Sequence, residues 1–263
     1  MRQRLSLFVV DAGRFWRPVV AFGLVVLAWQ GAASAGLFST RVFPTPGQCL
    51  SGLTEVIRDG RLFSYSVASL FRVTVGWYLA VLLAIPLGLV VGGKASLQDA
   101  INPLLQFLRP ISPLAWIPLA MIWFGIGDPP AVFLIFLAAF FPLVVATMGA
   151  VAGIKPLYVR AARNMGLEGW RLVYRVVLPA TLPSIIVSLR ISSGIAWLVV
   201  VAAEMLAVKS GLGFMIIDAR NALRLDLVVV GMIAIGLIGI LLDRALRRLE
   251  KLPSLGWSVA RPR

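Results

Sequence analysis

Long apolar runs separated by short polar stretches dominate the chain. Six of them, about Pro18–Ala35, Ser64–Gly92, Pro103–Phe124, Ala131–Ala152, Leu182–Ala207 and Leu225–Leu242, reach or approach the ~20 residues a helix needs to cross a bilayer. Prolines at 86, 110, 113, 118 and 142 interrupt or border several of these runs. Such breaks are tolerated where neighbouring helices satisfy the freed backbone groups, so the pattern predicts kinked helices packed in a bundle. Between the first two runs, Pro44-Thr45-Pro46-Gly47 signals a turn. After it Leu50, Leu53, Val56 and Ile57 recur at helical spacing, which predicts a short amphipathic helix within the external segment 36–63.

Composition agrees. Of 263 residues 60% are hydrophobic and 14% charged, against ~45–50% and ~25% in soluble globular chains. A soluble domain of this length has too little interior to hide that much apolar surface. The chain has no histidine, which removes His-based acid–base catalysis and His-ligated metal sites. Its single cysteine, Cys49, excludes an internal disulfide and a cysteine zinc site. No metal site and no catalytic residue are expected.

The net charge of +14 would suit a nucleic-acid binder. Distribution along the chain gives a better account. With the N-terminus inside and six crossings, 18 basic and 5 acidic residues fall on the inner side, and 7 basic and 6 acidic on the outer side. That is the bias of a membrane protein whose Lys- and Arg-rich loops stay in the cytoplasm, and no nucleic acid is needed to explain it. Both termini are then cytoplasmic. Arg2 and Arg4, an apolar run and Ala33-Ser34-Ala35 also resemble a signal peptide with its cleavage site. An uncleaved span is the favoured reading, and the later topology is the same either way.

Gly88-Leu-Val-Val-Gly92-Gly93-Lys94-Ala95 imitates a phosphate-cradling loop, but that loop needs a hydroxyl directly after the lysine and a strand before it. The better reading is a small-xxx-small helix contact at Gly88 and Gly92, repeated at Gly149 and Gly153, with Lys94 at the inner interface. The chain is not expected to hydrolyse nucleotide.

The segment 155–181 is too long for a simple connector and has its own helical period. Leu157–Met165 reads as a short helix, Gly166 as a turn, and Leu167–Val177 as a second helix ending before Pro179. In that second helix Trp170, Val173, Tyr174 and Val177 share one face. Periodicity alone leaves two readings open: a helix that fills a groove on another protein, or an interfacial loop covering the base of the bundle.

This segment resembles the loop of ABC-importer permeases whose pattern is E-A-A-x3-G-x9-I-x-L-P. The matching positions are Arg160, Ala161, Ala162, Gly166, Val176, Leu178 and Pro179, with Arg160 where Glu is usual and Val176 where Ile is usual. Further stretches look like the nitrate/sulfonate/taurine branch: Leu108–Ala120, Trp123–Gly127, Leu189–Ile191, Ala196–Leu198, Ala202–Met205 and Gly211–Gly213. The resemblance implies an all-α membrane protein with six transmembrane helices and the type I ABC importer permease fold. It implies an N-terminal portion 1–63, a permease core 64–243 holding the coupling loop 155–181, and a basic cytoplasmic tail 244–263. It further implies an inner-membrane location in a lipid bilayer, a homodimer, two cytoplasmic ATPase subunits that bind ATP and magnesium, and an extracytoplasmic solute-binding protein. No cofactor is implied for this chain. Coupling to the ATPase falls on Arg160, Ala161, Ala162, Gly166, Trp170, Leu178 and Pro179.

Arg72, Arg190 and Glu204 sit within or near spans, where ionisable groups are costly and often functional. Arg72 and Glu204 read either as solute-pathway groups or as groups that reach the interface or form a structural ion pair, and Arg190 marks the inner part of the fifth span. Trp77, Trp116, Trp123 and Trp197 read as packing or interface groups rather than a ligand cage. The competing functional classes are an ion-gradient secondary transporter or channel, and a membrane-embedded enzyme. No internal repeat supports the former, and the missing histidine and carboxylate pair weigh against the latter.

Overall fold

The computed structural model describes residues 2–35 and 42–250, with side chains described from Trp16 onward except 18, 249 and 250. The tail beyond 250 and residues 36–41 of the external segment lie outside the described residues. All regular elements among the described residues are helical. Four helices are long and apolar enough to cross a bilayer, five if one bent pair counts as a span. The chain forms two compact units, residues 1–62 with 216–232, and residues 63–215 with 233–263.

The first unit contains α1 (Arg2–Ser34) and α2 (Pro46–Arg58), the end of α10 (Leu212–Asn221) and the start of α11 (Leu225–Glu250). The apolar described part of α1, Val19–Ser34, is shorter than the other spans. Trp29 Nε1 donates to the Pro44 carbonyl at 3.0 Å and ties α1 to the turn before α2. That turn starts α2 as its sequence requires. Thr45 caps the helix, Gln48 N–H donates to Thr45 Oγ1, and the Gln48 side chain accepts from Thr45 N–H. The amphipathic face is rotated from the expected one. Cys49, Gly52 and Val56 are buried, whereas Leu50 and Ile57 are exposed. Gly52 decides this. A Cβ there would meet Leu227 and Asp226 at about 3 Å, so the glycine lets α11 approach closely.

The second unit is a bundle of α3 (Arg61–Gly92, from Phe63), α4 (Ala95–Leu108), α5 (Ile117–Phe124), α6 (Asp128–Ala152), α9 (Leu178–Ala207) and the later part of α11. Between α6 and α9 lie α7 (Pro156–Asn164) and α8 (Gly169–Leu172). Small residues set the spacing of α3 against α6. A Cβ at Gly76 would sit 2.8 Å from Ile135, one at Gly88 2.5 Å from Thr147, and one at Gly92 2.8 Å from Val151. Ala80, Ala84, Ala139, Leu143 and Val144 fill the seam between them. The expected contact at Gly88 and Gly92 is therefore present. The expected repeat at Gly149 and Gly153 is not: a Cβ at Gly149 meets nothing within 4 Å, and Gly153 faces only the carbonyls of its own helix end.

The expected span Pro103–Phe124 is instead a broken element. Helix α4 starts at Ala95 and ends at Leu108, a 3-10 turn covers Pro113–Trp116, and α5 follows at an angle of 81°. Arg109, before Pro110, still has helical dihedrals, but Pro113 holds Ser112 in an extended conformation with ψ 131°, and Ser112 caps the new start by accepting from Leu114 N–H. Of the tryptophans, Trp77 donates to Ser192 Oγ at 3.0 Å and buried Trp197 to the Ile235 carbonyl at 3.1 Å. Both are packing groups.

Candidate functional site

Two features of the second unit concentrate its polar and exposed chemistry. One is the loop formed by α7 and α8. Helix α7 opens on Pro156, which suits a first helical turn because its missing N–H would be unsatisfied anyway. The helix ends at Asn164, and Gly166 turns the chain with φ +78°, which a side chain would strain. Of the Arg160-Ala161-Ala162 run only Ala162 is buried, packed with Leu172 and Val177 against Leu89 and Val151 at the ends of α3 and α6. Arg160, Ala161 and Gly166 are exposed.

The second loop helix does not stop before Pro179. A π-turn, Val173–Val177, carries α8 directly into α9, so Gly169–Ala207 forms one span of 39 residues. The wider turn accommodates a proline that has no N–H to offer the ladder, and Thr181 Oγ1 donates back to the Val177 and Leu178 carbonyls at 2.9 and 3.1 Å. The inward face also differs from the expected one, with Leu172 and Val177 buried and Val173 and Val176 half-buried. Val177 is buried and Val173 packs beside it, but Trp170 and Tyr174 point outward, 72% and 64% exposed. Leu178 is half-buried and Pro179 exposed. Beside the loop lies a groove of about 380 Å³, lined by Leu89, Val151, Val159, Leu172, Arg160 and Arg163 among others.

The other feature is a polar knot far along α9. Arg72 on α3 and Glu204 on α9 are both fully enclosed, and Arg72 Nη1 donates to Glu204 Oε1 at 2.6 Å. Every remaining polar atom of the pair is served. Arg72 Nε donates to Asp128 Oδ1 at 2.7 Å, Nη1 also donates to the Ser210 carbonyl at 2.8 Å, and Nη2 donates to Ser210 Oγ. Glu204 Oε2 accepts from Ser69 Oγ at 2.8 Å and from Gly213 N–H at 2.9 Å, while Ser69 Oγ accepts from Leu212 N–H at 2.9 Å. A buried ion pair survives only with such complete partnering. Gly211 makes room for it. Its φ is +103°, and a Cβ there would land on the Glu204 carboxylate. Both charges are legible in the sequence, but their pairing is not. Ser69, Asp128 and Ser210 carry no motif, and the Gly211-Leu212-Gly213 run after Glu204 is the one local signal of the site.

Elsewhere in this unit Arg190 Nε donates to Asp243 at 2.6 Å, and Arg247 donates to the same carboxylate at 2.8 Å. In the first unit Arg224 binds both Glu55, at 2.7 Å, and Asp226, at 2.8 Å, while Arg61 binds Glu55 and Asp59. The Arg224 hydrogen bond holds the Glu55 carboxyl below its ordinary range, against a smaller opposing effect of burial. Burial, with a smaller push from Asp226, raises the Cys49 thiol. Among the described residues no group of three or more His, Cys, Asp or Glu side chains is arranged to hold a metal.

Residues 84–253 match the family described as "binding-protein-dependent transport system inner membrane component". The chain is 34% identical over 233 residues to the taurine transport system permease protein of Escherichia coli, covering 87% of this chain and 85% of that one. It is 33% identical over 260 residues to the nitrate import permease protein of a Synechocystis strain, covering 95% and 94%. Among solved structures, a chain of the MetNI methionine ABC transporter in an inward-facing conformation superposes with a TM-score of 0.57. That likeness covers 69% of this chain and 92% of the other at 19% identity, and it concerns the fold.

Proposed function

The chain belongs to the family of binding-protein-dependent transport system inner membrane components, and from that membership we propose that two copies of it form a path for a small anion of the sulfonate, taurine or nitrate class. As a multi-pass inner-membrane permease of an ABC importer it is not itself catalytic and binds no cofactor. Such an importer works with ATPase subunits, where ATP is hydrolysed, and with a binding protein that delivers the solute. The anion class is supported by the names of the taurine and nitrate relatives.

In this reading α1 is an uncleaved sixth crossing and both termini are cytoplasmic. The ion pairs agree with the way this topology groups charges by side, a grouping that is the same whichever side faces the cytoplasm. With six crossings, Arg72, Asp128 and Glu204 fall on one side together with Glu55, Arg61, Arg224 and Asp226, whereas Arg190, Asp243 and Arg247 fall on the other. None of these pairs, among the described residues, joins charges on opposite sides across the hydrocarbon.

The observation that carries the mechanism is the continuity of Gly169–Ala207. At ~1.5 Å per residue it is a rod of roughly 58 Å. It starts in the loop assigned to the ATPase, through Arg160, Ala161, Ala162, Gly166 and Trp170, and continues through Leu178 and Pro179. Near its far end Glu204 is clamped to α3. ATP-driven closure of the ATPase pair shifts the loop, and the rod delivers that shift to the bundle. Nucleotide moves the equilibrium only because the ATPases hold the two forms differently when it is bound. Arg72 and Glu204 act here as the clamp rather than as solute contacts, since each is enclosed and fully partnered by the other's surroundings.

The test is reconstitution. Proteoliposomes holding this chain with its cognate ATPase and loaded binding protein should take up taurine or nitrate only with ATP inside. Uptake by the chain alone, or uptake driven by an ion gradient, overturns the reading.

A further inference from the structure

The exposed surface of the loop has an unbalanced charge. Lys155, Arg160, Arg163, Arg171 and Arg175 all stand on it, with Glu168 the one acid in that stretch. None of these five cations has an ion pair among the described residues. Arg61, Arg72, Arg190, Arg224 and Arg247, by contrast, each find a carboxylate within the chain. Between the unpaired cations stand large apolar side chains that the loop leaves uncovered: Leu157, Tyr158, Met165, Trp170 and Tyr174, from 56% exposed at Tyr158 to 80% at Met165.

Cations and apolar groups are interleaved rather than segregated. On α7, Leu157 and Arg160 are neighbours one turn apart on the same exposed face, and only Val159 and Ala162 turn inward. A helix built to lie on lipid separates an apolar face from a charged one. Arg160 and Arg163 also border a concave groove, not a flat surface. A mixture of Trp, Tyr, Met and Arg is the composition of a protein interface core.

We infer that the ATPase surface gripping this loop is an apolar groove rimmed by carboxylates, which face Arg160 and Arg163 while an apolar pocket takes Trp170. The inference rests on the coupling role proposed above and adds the chemistry of the partner. Arg160 puts a cation where the family's pattern has Glu, so the partner surface facing this position meets a positive charge. Lys155, Arg171 and Arg175 strengthen the same field, and the attraction between rim charges is screened by salt.

The test uses the full-length permease co-expressed with its cognate ATPase, in detergent, with retention of the ATPase on the tagged permease as readout. Arg160→Glu with Arg163→Glu should lower retention about tenfold or more at about 0.05 M NaCl, whereas Arg160→Lys with Arg163→Lys should hold it within about twofold. Wild-type retention should fall as NaCl rises to about 0.5 M. Trp170→Ala should release the ATPase with little dependence on salt. If the charge reversal keeps the ATPase while Trp170→Ala loses it, the carboxylate rim is refuted and the docking role stands. If neither variant releases it, the docking role itself falls. If the reversal releases it and Trp170→Ala does not, the apolar pocket is refuted. In a parallel arm the same variants are mixed with phosphatidylglycerol vesicles, and a reversal that weakens vesicle binding while leaving ATPase retention unchanged assigns the cations to lipid headgroups and overturns the inference.

Discussion

Arg72 and Glu204, 132 positions apart in the chain, meet at 2.6 Å with neither reaching solvent, and so fasten α3 to the last turns of α9. Removing one partner strands a buried charge. Arg72→Met or Glu204→Leu alone should destabilise the permease by about 3–5 kcal/mol, and the double variant should recover much of that loss because two apolar groups leave no charge unpaired. Thermal unfolding in detergent measures it. Single variants as stable as the wild type would show that the pair holds nothing.

Gly211 offers a second probe of the same clamp. Alanine there meets both a φ of +103° and the Glu204 carboxylate, whereas alanine at Gly194 meets open space at an ordinary φ. Gly211→Ala should cost at least about 1–3 kcal/mol, and Gly194→Ala should be near neutral. Equal melting temperatures for the two variants would contradict the packing at Gly211.

Gly166 tests the loop instead of the bundle. Its φ of +78° strains any L side chain, but nothing lies within 4 Å, so Gly166→Trp projects into the space a partner would occupy. Insertion into the membrane should be unchanged while ATP-dependent uptake falls by about tenfold or more. Gly166→Ala should show chiefly the backbone cost of about 1–2 kcal/mol. Normal uptake by the tryptophan variant in vesicles would remove the loop from the coupling path.

In the first unit the Arg224–Glu55 link is sensitive to acid. The folded Glu55 carboxyl titrates below its ordinary 4.5, so its stabilisation is present above that value and is lost as pH falls through the lower folded value. Amide protection in α2 should decline from pH 7 to about pH 3, after correction for intrinsic exchange. Glu55→Gln should start lower and change less. A pH-independent protection factor in the wild-type helix would exclude the link as a contributor.

The outcome differs between elements for physical reasons. The spans of α3, α6, α9 and α11 are legible because twenty apolar residues have few alternatives to crossing a bilayer. Helix α7 and the Gly166 turn are legible because proline at the start and glycine past the end punctuate a local element. The second loop helix is misjudged, since Pro179 reads as a stop where a π-turn allows passage. Trp170, in α8, and Tyr174, in the π-turn, are exposed although a regular period places both on the face of buried Val177.

Local chemistry alone determined the membrane class, the charge asymmetry, the glycine seam at Gly88 and Gly92, and the presence of two costly ions in Arg72 and Glu204. The tertiary structure decided that these two ions neutralise one another, that Asp128, Ser69 and Ser210 complete their shell, and that Cys49, Gly52 and Val56 form the inward face of α2. Periodicity and composition record what each segment prefers to face. Pairing between groups far apart in the chain depends on how closely helix backbones approach, and that distance is set by small residues on both partners at once.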